Sequence, residues 1–310
     1  MNPLVTIAIL NYQRKETLRR AIEQALAQDY SPLEVLVVDN ASTDGSDSMV
    51  EKEFPSVRLV RLPQNVGCAA RNVGVESAKG EIVLTIDNDV LLEGTFNIPL
   101  IVRAFEERPG TACLNFKILR PDGALSNRDW CHPRDWRLFA NQTFETDYVL
   151  EGASAFRRES FLAVGGYWPR LFIGHEGWDL ALRLVDAGHE IFYFPEISVT
   201  HLASNDARPG NRIYYSFTRN AIWVAVRNHR FWSSLASLTR DLALMGFSSI
   251  RAGQLGSYLR GIADGVKGVG EAYSARAPLR KQTYEHLASV RALQPSWLEK
   301  ARRHIRERPI

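Results

Sequence analysis

The sequence predicts an α/β protein: a Rossmann-like, mainly parallel sheet with helices on both faces, then a C-terminal α-helical appendage. Three observations carry this. Apolar runs alternate with helically spaced segments through the first ninety residues. Two of those runs, Leu33–Val38 and Ile82–Ile86, stop abruptly at an aspartate, Asp39 and Asp87. Beyond Phe231 the pattern changes to amphipathic helix, with Leu235, Leu238, Leu242 and Met245 separated by polar residues.

Leu4–Leu10 reads as a buried strand, followed by helix over Glu16–Ala27, where Leu18, Ile22, Ala25 and Leu26 share a face. Leu33–Val38 is a second strand, followed by a polar loop of capping residues from Asn40 to Ser46 and a short helix over Met49–Phe54. Val57–Leu62 is a third strand, and Ala69–Ser77 a helix that precedes the strand Ile82–Ile86. Phe96–Glu107 reads as helix and Ala112–Leu119 as strand. Asn127–Phe144 is an aromatic loop with Trp130, His132, Trp136 and Phe139, either packed on the surface or a substrate lid. Val149–Arg158 is a strand with small residues near its start, then helix over Glu159–Val164. Glu190–Phe194 and Ile197–His201 are two further strands, and Asn211–Asn228 a helix. These boundaries divide the chain into a domain over 1–228 and a helical extension over 229–310.

The chain has 310 residues, 45% hydrophobic and 24% charged, enough for a large core without staples. Cys68, Cys113 and Cys131 are scattered without a CxxC, which suggests reduced thiols in a cytoplasm. No signal peptide and no membrane-spanning run is expected. A net charge of +3 does not argue for a nucleic-acid partner. The positive charge concentrates in the tail: Arg276, Arg280, Lys281, Arg291, Lys300, Arg302, Arg303, Arg306 and Arg308. Such a run is a solvated helix face or an attraction to an anionic membrane surface. Dimerisation through the helical extension stays open.

The chemistry centres on Asp87-Asn88-Asp89. Residues i and i+2 of a strand point the same way, so both carboxylates would project together from the strand's end. That arrangement is a divalent-cation site or a polar turn. Asp39 ends another strand on the same expected edge, where open α/β sheets bind ligands. There is no GxGxxG after the first strand and no GxxxxGK[ST]. Glu176 stands at a helix N-terminus between Gly174 and Gly177, which suits a chemical role. Asp179, on the same helix, reads as a cap and a salt bridge to Arg183. His201 closes a late strand and is a candidate third metal ligand.

Taken together, VTIAILNY, VVDNASTDGS, NVGCAARNVGVESAKGEIVLTIDNDV, GASAFRRESFLAVGGY, HEGWDLALRLVDAGHEIFYFP, the later His201 and Arg219-Asn220 resemble the family-2 glycosyltransferases. The resemblance covers Val5 to Asn228 and implies the A-type nucleotide-diphospho-sugar-binding fold. It implies that Asp39 contacts the nucleobase, with Ala8, Asn11 and Tyr12 in the same pocket. Asn65, Gly67 and Arg71 match the segment near ribose and diphosphate. Asp87 and Asp89 match the metal-binding DXD, with Asn88 between them at the donor, and His201 matches the downstream metal contact. Gly152 and Ala153 match the segment beneath sugar and acceptor. Where the family has two adjacent acids, this chain has Glu176-Gly177, so the base is Glu176 or Asp179, with Glu176 preferred.

The resemblance thus implies an inverting hexosyl- or deoxyhexosyl-transferase using Mn²⁺ or Mg²⁺. It would move sugar from a nucleotide-diphosphate donor to a glycan, lipid-linked or small-molecule acceptor, at or near the inner face of the cell membrane. A sugar-nucleotide pyrophosphorylase would need a glycine-rich, arginine-containing segment after the first strand, and ILNYQRKET lacks one. A non-catalytic sugar-nucleotide-binding module is the other alternative, supported by Gly177 alone.

Overall fold

The structure, a computed structural model, describes residues 2–202, 210–296 and 299. Among them nine strands form one sheet: β1 (Val5–Asn11), β2 (Leu33–Asp39), β3 (Arg58–Arg61), β4 (Ile82–Asp87), β5 (Val90–Leu92), β6 (Thr111–Leu119), β7 (Phe144–Glu145), β8 (Ala153–Arg157) and β9 (Glu190–His201). Their order is β3-β2-β1-β4-β8-β6-β9-β5, with β7 on β9. The β3-β2-β1-β4 half is wholly parallel. Antiparallel pairing enters where β8 inserts between β4 and β6, and where β5 and β7 join β9.

The helices are α1 (Lys15–Leu26), α2 (Ser46–Glu53), α3 (Ala69–Ser77), α4 (Asn97–Glu107), α5 (Trp136–Phe139), α6 (Arg158–Ala163), α7 (Glu176–Asp186), α8 (Gly210–Asn228), α9 (Phe231–Arg251), α10 (Leu255–Lys267), α11 (Val269–Ser274) and α12 (Lys281–Val290). The central strands are apolar without interruption because both faces are covered. Val5, Ile7 and Ile9 of β1 pack with Leu18 and Ile22 of α1, while Ala8 faces the core shared with α3 and α7. In β4, Ile82, Leu84 and Ile86 face the first core and Val83 the second.

Two expectations change. The two late strands are one, because the β6–β9 register slips between Phe116↔Phe194 and Lys117↔Ser198. Pro195 cannot donate to a ladder, and the chain absorbs it as an irregularity instead of ending the strand. The strand expected over Val149–Arg158 begins only at Ala153, because Gly152 takes a left-handed φ of 76°.

The C-terminal helices share the second core. Ala272, Leu279 and Leu287 lie in one buried cluster with Leu180 and Trp223. Polar ties add to this, from Arg291 to Asp147, from His286 to Glu145 at 2.5 Å and from Thr283 to Asp186 at 2.5 Å. Lys300, Arg302, Arg303, Arg306 and Arg308 lie outside the described residues. Cys68 and Cys113 are buried and Cys131 exposed, all three free thiols.

Candidate active site

The parallel register aligns the strand ends. Asn11 lies opposite Asp39, and Leu10 opposite Asp87. The two acids therefore share the carboxyl edge, at the point where strand order reverses around β1. Asp39 is buried, and its carboxylate accepts from Asn11 Nδ2 at 2.7 Å and from the Ser42 amide at 3.0 Å. Asn88 Nδ2 donates to Asn11 Oδ1 at 2.7 Å and to the Gln13 carbonyl at 2.8 Å. Asn88 thus fastens the turn after β4 onto the end of β1. Tyr12 is half-exposed at the rim, whereas Ala8 is buried beneath α3 against Gly74. Asn65 Oδ1 accepts from Asn40 Nδ2 at 3.0 Å and from the Gly67 amide at 2.9 Å. The neighbouring Cys68 amide donates to the Phe172 carbonyl at 2.7 Å, which ties this loop to the segment entering α7.

Asp87 and Asp89 do not project together as a continued strand would make them. β4 ends at Asp87, the chain turns through Asn88-Asp89, and β5 leaves to pair with β9. Asp87 accepts from Arg71 Nη2 at 2.6 and 2.9 Å through its two oxygens. Burial works against the Arg71 charge, but Asp87, with Tyr167 and Glu176 adding to it, holds the guanidinium above its usual range. Gly152 packs on the other side: a Cβ there would sit 2.3 Å from Asp87 Cγ, at a φ only glycine adopts easily. Ala153 starts β8 directly behind it, fully buried.

Asp89 pairs instead with Arg14, and lies 3.6 Å from His201 Nε2. The antiparallel pair Val90↔His201 brings this histidine home from far down the chain. His201 Nδ1 lies 3.0 Å from Asp129 Oδ2, which also accepts from Ser126 Oγ at 2.6 Å. Burial opposes the imidazolium, but its hydrogen bonds to Asp129 and Asp89 raise it to about 9. Burial would likewise raise Asp89, yet His201 and Arg14 pull it down to about 2. Asp89, His201 and Asp129 offer oxygen and nitrogen donor types that suit Mn²⁺ or Mg²⁺, but among the described residues they are not a preformed metal cluster. Asp87 is turned toward Arg71, so among the described residues the expected trio of Asp87, Asp89 and His201 is not a preformed metal cluster.

Glu176 opens α7 and is buried. The approach to it is strained: Phe172, Gly174 and His175 have φ of 59°, 91° and 63°. Asn220 of α8 holds that loop, donating to the Leu171, Ile173 and Gly174 carbonyls at 2.9, 2.9 and 2.6 Å. This is the physical job of the Arg219-Asn220 pair, since Arg219 also donates to Leu171 O at 3.1 Å. Asp179 is different. It has no exposed surface, and accepts from Arg183 at 2.8 Å, Arg227 at 2.6 Å and Asn228 at 2.7 Å. That bonding fits a structural anchor and leaves no approach for an acceptor hydroxyl.

Sequence reasoning missed four contributors. Arg14 follows a turn and carries no signature. Asp129 sits in the aromatic loop, where Trp130, His132, Phe144 and Tyr193 form a ring cluster with centroids 4.7–6.1 Å apart. That packing anchors the loop on β7 and β9. Glu151, just before Gly152, accepts from the Gly177 amide at 2.6 Å. The carbonyl of Phe172 binds the α3 entrance. The hint for the last two was the density of glycine around Glu176.

A sheet with acids gathered at its carboxyl edge, faced by a buried carboxylate on a clamped helix start, defines an α/β enzyme that binds its ligand across the strand ends. The chain belongs to glycosyl transferase family 2, whose family model matches residues 6–165, and it is a glycosyltransferase. It is 25% identical over 252 residues to the glucosyl-dolichyl phosphate glucuronosyltransferase of Haloferax volcanii, covering 78% of each chain. It is 35% identical over 123 residues to the succinoglycan biosynthesis protein ExoO of Rhizobium meliloti, 39% of this chain and 35% of that one. Among solved structures, the mannosyltransferase PcManGT from Pyrobaculum calidifontis, in complex with GDP-Man and Mn²⁺, superposes with a TM-score of 0.56 at 18% identity, over 98% of this chain and 88% of that one. GalNAc-T7 with UDP, GalNAc and Mn²⁺ gives a TM-score of 0.61 at 16% identity, over 93% of this chain and 57% of that one.

Proposed function

We propose that this glycosyltransferase carries a sugar from a nucleotide-diphosphate donor to an acceptor hydroxyl with inversion, and that Glu176 is the base. The observation that supports this most is the Glu151-Gly152 segment, where Glu151 accepts from the Gly177 amide at 2.6 Å and Gly152 packs against Asp87, which Arg71 holds. It makes the DND edge and the start of α7 parts of one site. The donor's nucleoside lies along Asp39, Asn11 and Tyr12, and its diphosphate lies toward Arg71 and the Asp87–Asp89 turn. The acceptor hydroxyl gives its proton to Glu176 while its oxygen attacks the anomeric carbon. The bond from that carbon to the diphosphate breaks, and its electron pair leaves with the diphosphate. Asp89 and His201, with Asp129 behind, would hold a Mn²⁺ or Mg²⁺, which when bound would offset charge on the leaving diphosphate. The named relatives support a glycan or lipid-linked acceptor and a role in polysaccharide or glycoconjugate synthesis. The test is transfer from a panel of nucleotide-sugars with and without Mn²⁺. Glu176→Gln is expected to keep donor binding and lose most turnover, and Asp89→Ala to lose the metal-dependent rate. Wild-type turnover in Glu176→Gln would sink the choice of base.

The reaction is set in the cytoplasm, with the protein resting on an anionic membrane surface through α10. No helix among the described residues is long and apolar enough to cross a membrane. However, α10 turns its small residues Ser257, Gly261 and Gly265 inward, against α8, and packs Tyr258 on α9, while other apolar residues stay exposed. Leu255, Leu259 and Val266, which with the half-buried Ile262 form one stripe, are 42%, 55% and 62% exposed. Arg260 and Lys267 flank that stripe, which is the pattern of an interfacial helix. Vesicles containing phosphatidylglycerol should bind the protein and phosphatidylcholine vesicles should not. Leu259→Glu with Val266→Glu should abolish the binding. A wild-type dimer in solution that this pair of changes dissociates would instead make the stripe a subunit interface.

A further inference from the structure

Gly177 follows Glu176 at the start of α7, where the resemblance to the family implies a second acid. The structure shows what occupies that space. A Cβ at Gly177 would lie 2.0 Å from the Val149 carbonyl oxygen and 2.5 Å from Glu151 Oε1. The segment before β8 packs against the start of α7 and places its own carboxylate there. The Gly177 amide, one of the unpaired donors of a helix N-terminus, donates to Glu151 Oε1 at 2.6 Å. The Tyr148 hydroxyl donates to the same oxygen at 3.2 Å. The next residue is Gly152, against which Asp87 packs. One short segment therefore touches both the base end and the donor end of the site.

We propose that Glu151 supplies, from a different element, the second carboxylate missing after Glu176, and acts as a positioning residue that sets the protonation and orientation of Glu176. This rests on the reading of Glu176 as the base. Two carboxyls close together in a partly buried site cannot both carry charge freely, so the pair titrates as a unit. Burial and the Glu176 charge raise the Glu151 carboxyl, while the Gly177 amide and Arg71 pull the other way. The other titratable groups around it are Tyr148 on its own segment, Cys68 at the entrance to α3, Tyr167 before α7, and Cys131 in the aromatic loop. With Glu151 bonded to the Gly177 amide, the start of α7 that carries Glu176 is held in place, and the neighbouring carboxyl adds its charge to the site.

Glu151→Gln tests this, because an amide oxygen can still accept from Gly177 while the charge is gone. On the full chain, the melting temperature and donor affinity should match wild type. Turnover should fall roughly tenfold or more with donor KM unchanged, and the acidic limb of the pH–rate profile should move to lower pH. Glu151→Asp should restore part of both. A wild-type rate and pH profile in Glu151→Gln would overturn the proposal. So would a joint loss of melting temperature, donor affinity and rate, which would make Glu151 a helix cap alone. Glu176→Gln run in parallel separates the two readings. If it still turns over, the assignment of the base has failed. If it is inactive while Glu151→Gln behaves as wild type, only the role of Glu151 has failed.

Discussion

Asp179→Ala should unfold this protein more readily without touching the chemistry directly. The Asp179 carboxylate is fully enclosed, with Arg183, Arg227 and Asn228 on its oxygens. Removing one member of a buried ion pair costs roughly 3–5 kcal/mol, because the partner charge stays buried without its counterion. Here two guanidiniums would be left, 9% and 13% exposed. Arg183 keeps the Val164 and Gly166 carbonyls, and Arg227 keeps the Ala275 carbonyl at 3.3 Å and the face of Trp168. Those partners place the expected loss near the lower end, about 3 kcal/mol, or a fall in melting temperature of roughly 6 °C for a chain this long. Differential scanning calorimetry with and without donor reads this directly. Residual activity of the folded fraction should stay close to wild type. A variant that melts at the wild-type temperature and binds donor, yet has no turnover, would refute the reasoning and make Asp179 the base.

Gly152→Ala should push Asp87 off its position, since the new Cβ has no room beside Cγ. A loss of about 1–3 kcal/mol from the left-handed φ, with donor affinity falling more than stability, is expected by calorimetry. The Asp89–His201–Asp129 cluster predicts a pH signature. His201 is raised from 6.5 to about 9, so its contribution is complete below 6.5 and lost as pH rises through about 9. Asp89 is lowered from 3.8 to about 2, so its contribution is present above 3.8 and lost as pH falls toward 2. His201→Gln should therefore lose stability relative to wild type at neutral pH, with the gap closing above pH 9 in denaturant titrations. A gap that widens there would contradict the assignment.

The sequence by itself determined the alternation of strands and helices, because strands buried on both faces must be apolar throughout and helices must show their own spacing. It also determined that Asp39 and Asp87 end strands at one edge of the sheet, since in a parallel sheet every strand end points the same way; β1 lies between the two strands. Tertiary structure decided what those acids touch. Whether Asp87 and Asp89 share a face depends on where β5 goes after the turn, and β5 joins β9 at the far side of the sheet. No local pattern encodes that pairing, nor the arrival of His201 and Asp129 beside Asp89. The same limit applies at α7. Glu176 and Asp179 lie three positions apart on one helix; the sequence suggests the Asp179–Arg183 pair, which the structure contains, but not the other partners of Asp179. Only the packing of α8 onto α7 commits Asp179 to Arg227 and Asn228. Only the approach of Val149–Glu151 explains why the residue after Glu176 must be glycine.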